Sequence, residues 1–266
     1  MEINVIKIGG NVIDHPEKSA LFLKMFAKFP GNKILVHGGG VLASRMGKSL
    51  GIAPQMINGR RITDKETLDI VTMVYAGLIN KNMVAQLQGL GQNAIGLTGA
   101  DGNAILSVKR PIGAIDYGYV GDVKKVNTYF LETLLDQGIV PVFCAITHDK
   151  KGSLLNTNAD TIASEVATNL AKYHTVNLFF CFDRPGVLMD EKNESSLIPL
   201  INEDIYSELM RENVIHSGMI PKLDNAFNAL KKGVNHVWLG LPENLLLASK
   251  GKNSGTNIES LKYDLY

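Results

Sequence analysis

Two apolar runs near the start of the chain each end in consecutive glycines. Ile3 to Ile6 leads into Lys7-Ile8-Gly9-Gly10, and Ile34-Leu35-Val36 leads into His37-Gly38-Gly39-Gly40. Each reads as a buried strand whose glycines open a helix. Such a turn presents backbone N–H groups to an anion at a helix N-terminus. Two of them within 40 residues predict two anionic groups held close together, and the lysine in the first points to phosphate.

The same rhythm continues through most of the 266 residues. Strands are expected near 3–8, 33–36, 92–97, 139–144, 176–181 and 235–239. Helical patterns fill 16–28, 41–50, 64–90, 127–137, 158–172, 203–212 and 218–232. Alternation of this kind predicts an α/β fold with a parallel sheet covered on both faces. Two stretches interrupt it. Residues 55–62 carry Asn58-Gly59 between apolar residues, a hairpin signal. Residues 104–126 read as a second antiparallel excursion, and 147–157 as a polar connection. A lobe boundary is expected near 170–180, dividing the chain into 1–175 and 176–266.

Net charge is +1, which gives no general attraction to nucleic acid or to a membrane surface. No apolar run approaches a membrane span, and the opening residues lack the pattern of a secretory signal. Cys144 and Cys181 lie in apolar runs and read as buried thiols of a reducing compartment. A cytoplasmic location is expected.

Chemistry concentrates in six places. Lys7 ends a strand just before its glycines, within reach of a phosphoryl group. Gly39 and Gly40 allow close backbone approach. Arg60 and Arg61 flank the hairpin, where strand alternation turns one guanidinium inward, suited to a carboxylate. Asn156-Thr157-Asn158-Ala159-Asp160 precedes a helix; one residue caps it, and Asp160 would stay ionised in its first turn. Ser217-Gly218-Met219-Ile220-Pro221-Lys222 opens another helix with a cation where the dipole disfavours it, so Lys222 is expected to meet an anion. Asp183-Arg184-Pro185-Gly186-Val187 follows a strand, where open α/β sheets bind ligands. The Gly-x-x-x-x-Gly-Lys-Ser/Thr phosphate loop and the Gly-x-Gly-x-x-Gly turn do not occur.

In this order, Lys-x-Gly-Gly, His-Gly-Gly-Gly, Asn-Gly-x-Arg-x-Thr, Asn-x-Asn-Ala-Asp, Asp-x-x-Gly-Val and Gly-Met-x-x-Lys resemble the amino acid kinase family over nearly the whole chain. The resemblance implies a three-layer α/β/α sandwich with an open, mainly parallel sheet. It implies an N-terminal lobe (1–175) for the acyl-amino acid and dimerisation, and a C-terminal lobe (176–266) for the nucleotide. ATP with Mg²⁺ would phosphorylate the side-chain carboxylate of an N-acylated glutamate, in arginine biosynthesis, with no dedicated protein metal site. Lys7, Asp160 and Lys222 would be catalytic. Gly39, Gly40, Arg61, Asn156 and Asn158 would bind the substrate, and Gly9, Gly10, Asp183 and Gly186 the nucleotide and its phosphates.

Three features differ from the family pattern. Phe182 stands where Thr or Ser is usual, Arg184 where a small residue is usual, and Ile115 to Asp122 is bulky. An N-succinyl group in place of N-acetyl would call for a further cation, for which Arg60 and Lys124 are candidates. Only six residues precede Lys7, no room for the N-terminal helix of arginine-inhibited members, so an arginine-insensitive homodimer joined through helix 64–90 is expected. Carbamate, glutamate or aspartate kinases on the same fold remain open, as does a non-catalytic sensor, which would not need both lysines and Asp160.

Overall fold

The computed structural model describes residues 1–57, 60–215, 219–252 and 254–260. Its eight-stranded sheet contains β1 (Glu2–Ile8), β2 (Asn32–His37), β5 (Ala94–Leu97), β8 (Val140–Cys144), β11 (Thr175–Cys181), β12 (Leu200–Ile201), β13 (His236–Gly240) and β14 (Thr256–Ile258). The order is β12-β14-β13-β11-β1-β2-β8-β5, parallel except between β13 and β14. Six of the seven residues of β1 and all five of β8 are buried. Strands buried along their length in this way are covered on both faces.

The covering helices follow the predicted segments closely. They are α1 (Gly10–Ile13), α2 (Pro16–Lys28), α3 (Gly40–Ser49), α4 (Lys65–Thr72), α5 (Asn80–Gly89), α6 (Thr128–Asp136), α7 (Ala159–Leu170), α8 (Glu203–Arg211), α9 (Ile220–Lys231) and α10 (Leu245–Ala248). α7 crosses β1, β2 and β11 and packs against α6 and α9, while α5 covers β5 and β8 and packs against α2. The segment expected as one helix over 64–90 starts where Asp64 caps it, its carboxylate accepting from Thr67 N–H at 2.8 Å. It is not uniform, because Met73–Ile79 forms a π-helical stretch between α4 and α5.

Smaller sheets sit over one end of the large one. β3 (Met56–Ile57) and β4 (Arg60–Arg61) form the expected hairpin, with Met56 opposite Arg61; its Asn58-Gly59 turn lies outside the described residues. β6 (Ile105–Lys109) and β7 (Gly121–Val126) are the expected antiparallel excursion. They join β9 (Ile146–His148) and β10 (Leu154–Asn156) in a four-stranded sheet ordered β10-β9-β6-β7. The reading of 147–157 as a plain connection therefore needs correction. Asp149 accepts from Lys151 N–H (2.7 Å) and Ser153 N–H (3.0 Å), closing a polar turn between two short strands. The expected lobe boundary falls where β11 begins. β11 pairs with β1 along all seven residues, so both parts share one continuous sheet.

Candidate active site

The site lies at the carboxyl ends of β1, β2 and β11, where connections leave the sheet in opposite directions, the usual place for a ligand in an open α/β sheet. Ile8 is in register with both His37 and Cys181. That register sets the two glycine turns side by side. A Cβ built on Gly10 would stand 3.9 Å from the Gly40 nitrogen, so the first turns of α1 and α3 meet.

Beside them, three charges converge. Lys7, buried at the end of β1, places its Nζ 2.7 Å from Asp160 Oδ1. Lys222, in the first turn of α9, places its Nζ 3.3 Å from Asp160 Oδ2. Asp160 is held in the first turn of α7 by Asn158, whose Oδ1 accepts from Asp160 N–H (2.8 Å) and Thr161 N–H (3.1 Å). Burial alone would raise the Asp160 pKa. The ammonium groups, Lys7 before Lys222, outweigh it and hold the carboxyl at about 2. One carboxylate between two ammonium groups leaves a net positive charge for a ligand to neutralise. Ser217 and Gly218, expected with Lys222, lie outside the described residues.

The four glycines differ in what they offer. Gly9 N–H is already engaged, donating to Cys181 O at 2.8 Å. The expectation of a phosphate-binding donor there moves to Gly10 and Asn11, whose N–H groups open α1 and have no intrahelical acceptor. Gly40 and Val41 stand likewise at the start of α3. At Gly39, φ is +154°, and a Cβ would overlap Ile79 and come within 3.1 Å of Tyr75.

Of the two hairpin arginines, Arg61 is the inward one. Its Nη2 donates to Gly40 O (2.8 Å) and Ser44 Oγ (2.7 Å), which fastens it to the first turn of α3. Asn156 donates from Nδ2 to Thr63 Oγ1 at 3.0 Å. Asn158 uses its side-chain oxygen as the helix cap, so a ligand would meet only its amide nitrogen.

Two adjoining cavities, of about 410 and 570 Å³, share Gly40, Met56, Arg61 and Lys222. The smaller is lined by Lys7, Gly10, Asn11 and Asp183, with Asn11 Nδ2 donating to Asp183 Oδ2 at 2.9 Å. The larger is lined by Gly39, Arg60, Arg110, Asn156 and Asp160. Gly186 lines neither. A Cβ there would stand 2.6 Å from Leu197 Cδ1 and 2.5 Å from Thr256 Oγ1, a hydroxyl that accepts from Val187 N–H and donates to Ile198 O. Its glycine serves the packing of the turn.

Asn11, Ser44, Tyr75 and Arg110 line the cavities without having been singled out in the sequence. Arg110 follows β6 and holds Asp122 on β7 through Nε and Nη2, with its guanidinium 5.5 Å from the Tyr117 ring centre. Lys124 is exposed on β7 and does not line the larger cavity; Arg110 stands there instead.

Lysines and backbone N–H groups at the carboxyl edge of a parallel sheet, joined by one buried carboxylate, define a class: proteins that bind and stabilise phosphoryl groups. The chain belongs to the amino acid kinase family, whose description matches residues 2–240. It is 56% identical to the acetylglutamate kinase of Cytophaga hutchinsonii over 97% of this chain and 98% of that one. It is 51% identical to the acetylglutamate kinase of Phocaeicola vulgatus, with the same coverage of each chain. Among solved structures, smu.665 from Streptococcus mutans UA159 superposes with a TM-score of 0.78 at 28% identity, over 96% of this chain and 98% of that one. Carbamate kinase from Giardia lamblia bound to AMP-PNP shares the fold, with a TM-score of 0.70 at 15% identity over 97% and 98% of the two chains.

Proposed function

We propose that this protein transfers the γ-phosphoryl group of ATP to the side-chain carboxylate of N-acetyl-L-glutamate, forming an acyl phosphate in arginine biosynthesis. The observation that carries the reading is the Lys7–Asp160–Lys222 cluster at the junction of two cavities. A carboxylate is already ionised at neutral pH, so the reaction needs no general base. The bond from the γ-phosphorus to the ADP oxygen breaks and a bond to the carboxylate oxygen forms, with no proton transferred. What the protein must supply is alignment and neutralisation of phosphoryl charge.

In this reading the nucleotide phosphates enter the smaller cavity, beside Asp183 and the N–H groups of Gly10 and Asn11. The acyl-amino acid fills the larger one. Arg61 grips its α-carboxylate and Asn156 a further polar group, with Gly39 and Gly40 beside the acceptor. Lys7 and Lys222 flank the transferring group, and Asp160 holds both. Ammonium and N–H donors fit phosphate oxygens and not a cation. Among the described residues no cluster of three His, Cys, Asp or Glu could hold a metal. In this reading Mg²⁺ would arrive with the nucleotide and screen its phosphates. The division of labour assigns 176–266 to the nucleotide and 1–175 to the acyl-amino acid and to a homodimer. Exposed Met73 and Leu78, on the helix expected to form that dimer, support the contact. A cytoplasmic enzyme fits a chain in which no described helix is long and apolar enough to cross a membrane.

A second reading, N-succinyl-L-glutamate as acceptor, is favoured by one observation. Arg60 and Arg110 both line the larger cavity in addition to Arg61. Hydroxylamine trapping of the acyl phosphate with N-acetylglutamate, N-succinylglutamate and free glutamate tests both. Turnover of an N-acyl substrate is expected, and turnover of free glutamate alone would refute the assignment. If the succinyl compound is preferred, Arg110→Ala should reverse the preference.

A further inference from the structure

His37 ends β2 and is fully buried behind the second glycine turn. Its Nδ1 lies 2.9 Å from Gly38 O, and its Nε2 lies 3.0 Å from Asn80 Nδ2. Asn80 is the first residue of α5, directly after the π-helical stretch, and is also buried. Its Nδ2 makes a second contact, 2.9 Å from Val142 O on β8.

These contacts fix the proton positions. A backbone carbonyl only accepts, so the Asn80 atom facing Val142 O must be the amide NH₂. An amide NH₂ only donates, so His37 Nε2 must accept and carry no proton. The ring proton then sits on Nδ1 and is donated to Gly38 O. A charged ring would set an Nε2–H against the Asn80 N–H, and burial, outweighing the raising effect of the Gly38 O hydrogen bond, pushes the His37 pKa down to about 4. The imidazole is neutral at physiological pH.

The orientation has a consequence for the cavity. In a trans peptide the C=O and N–H point in opposite directions. With Gly38 O turned back to His37, the N–H of Gly39 faces away from the ring. Gly38 and Gly39 both line the larger cavity. Ile79 and Tyr75, from the π-helical stretch, close against Gly39 where a Cβ would be, so the turn is packed from that side and leaves no room for a side chain. π-helical turns recur at functional sites because they re-aim side chains; this one brings Tyr75, Ile79 and Asn80 to the same turn. A Cβ at Gly96 would overlap Asn80 Oδ1, so β5 supports the relay from behind.

We propose that Asn80 and His37 are positioning residues that aim the Gly39 N–H into the acceptor cavity, where it meets the negative charge of the carboxylate and the phosphoryl group. The consequence for turnover rests on the reaction proposed above. The tautomer does not.

The test has two arms. In ¹⁵N-histidine-labelled wild-type protein near pH 7, long-range ¹H–¹⁵N correlation should show the His37 ring neutral with its proton on Nδ1. An Nε2–H ring or an imidazolium would overturn the proposal with no substrate present. The kinetic arm compares His37→Asn with His37→Gln in the acyl-phosphate assay. Asparagine puts an amide NH₂ at the Nδ1 position and can still hold Gly38 O, whereas glutamine puts it at the Nε2 position. At matched Tm, H37Q should lose roughly 10- to 100-fold more kcat than H37N, the range expected for misaiming one backbone donor. The KM for ATP should change little in either. Equal losses in the two variants would overturn the proposal, and if neither folds the tautomer decides it. Wild-type turnover in the same assay tests the proposed reaction separately.

Discussion

Replacing Asp160 by asparagine removes one charge and almost no volume, so it isolates what that carboxylate does. It is the common partner of Lys7 at 2.7 Å and Lys222 at 3.3 Å, and it is buried. The pKa held at about 2, against an ordinary 3.8, corresponds to roughly 2–3 kcal/mol of stability at neutral pH. Leaving a buried ammonium without its partner costs about 3–5 kcal/mol in other proteins. Lys222 is partly exposed and keeps some hydration, so the lower end applies. The variant should lose about 2–4 kcal/mol.

The pH dependence identifies the source of that loss. A carboxyl whose pKa is lower folded than unfolded binds fewer protons when folded. Its stabilisation is complete above about pH 5 and fades as the pH falls through 3.8 toward 2. Urea denaturation of wild type and D160N in parallel cancels the groups they share. The difference between them should shrink by about 1 kcal/mol between about pH 6 and about pH 3. A difference that stays constant over that range would refute the charge argument and leave only a packing role. Kinetically, kcat should fall by roughly 100-fold or more, because neither lysine is held. The KM for ATP should not rise, since two uncompensated ammonium groups still attract phosphates.

Two other substitutions separate function from framework. Lys222→Ala should lower kcat by roughly 100- to 1,000-fold with little change in the KM of the acyl-amino acid. Its stability should change by less than about 1 kcal/mol, because Asp160 keeps Lys7 and the lost partner is partly exposed; an effect confined to KM would make it a binding contact only. Gly186→Ala should cost about 1–3 kcal/mol by forcing Leu197 and Thr256 apart. Denaturation measures it, and native stability with a raised KM for ATP would restore Gly186 as a nucleotide contact.

The features legible in the sequence were those encoded locally. Asp64 before a periodic run marks a helix start whatever lies around it, and Ile34-Leu35-Val36 reads as a buried strand from its composition. The charged cluster was legible for a different reason. Lys222 in a first helical turn contradicts its local surroundings, and such contradictions gather at functional sites; Asp160 suits its helix end but stands beside a cap that is already sufficient. Arg110 carries no such contradiction. An arginine after a strand with an aspartate twelve residues later is ordinary until β6 and β7 pair and set both beside the cavity. Ile146–His148 and Leu154–Asn156 were too short to show a period, and their polar turn masked them. The π-helical stretch has no composition of its own.

The sharpest limit on sequence reading is Gly9. Its place in Lys-x-Gly-Gly suggests a phosphate donor, yet its N–H is committed to Cys181 O. That bond extends the ladder between β1 and β11 by one residue beyond Ile8, and it pins the start of α1. Pinned there, Gly10 and Asn11, whose N–H groups have no intrahelical acceptor, line the cavity beside Lys7. The second turn reaches the same result by another route, with the His37 side chain in place of a neighbouring strand. In both, one glycine peptide group is committed to the framework so that the N–H groups after it face the cavity. A run of glycines therefore marks the place of an anion site, while the donors within it are chosen by what binds the turn from behind.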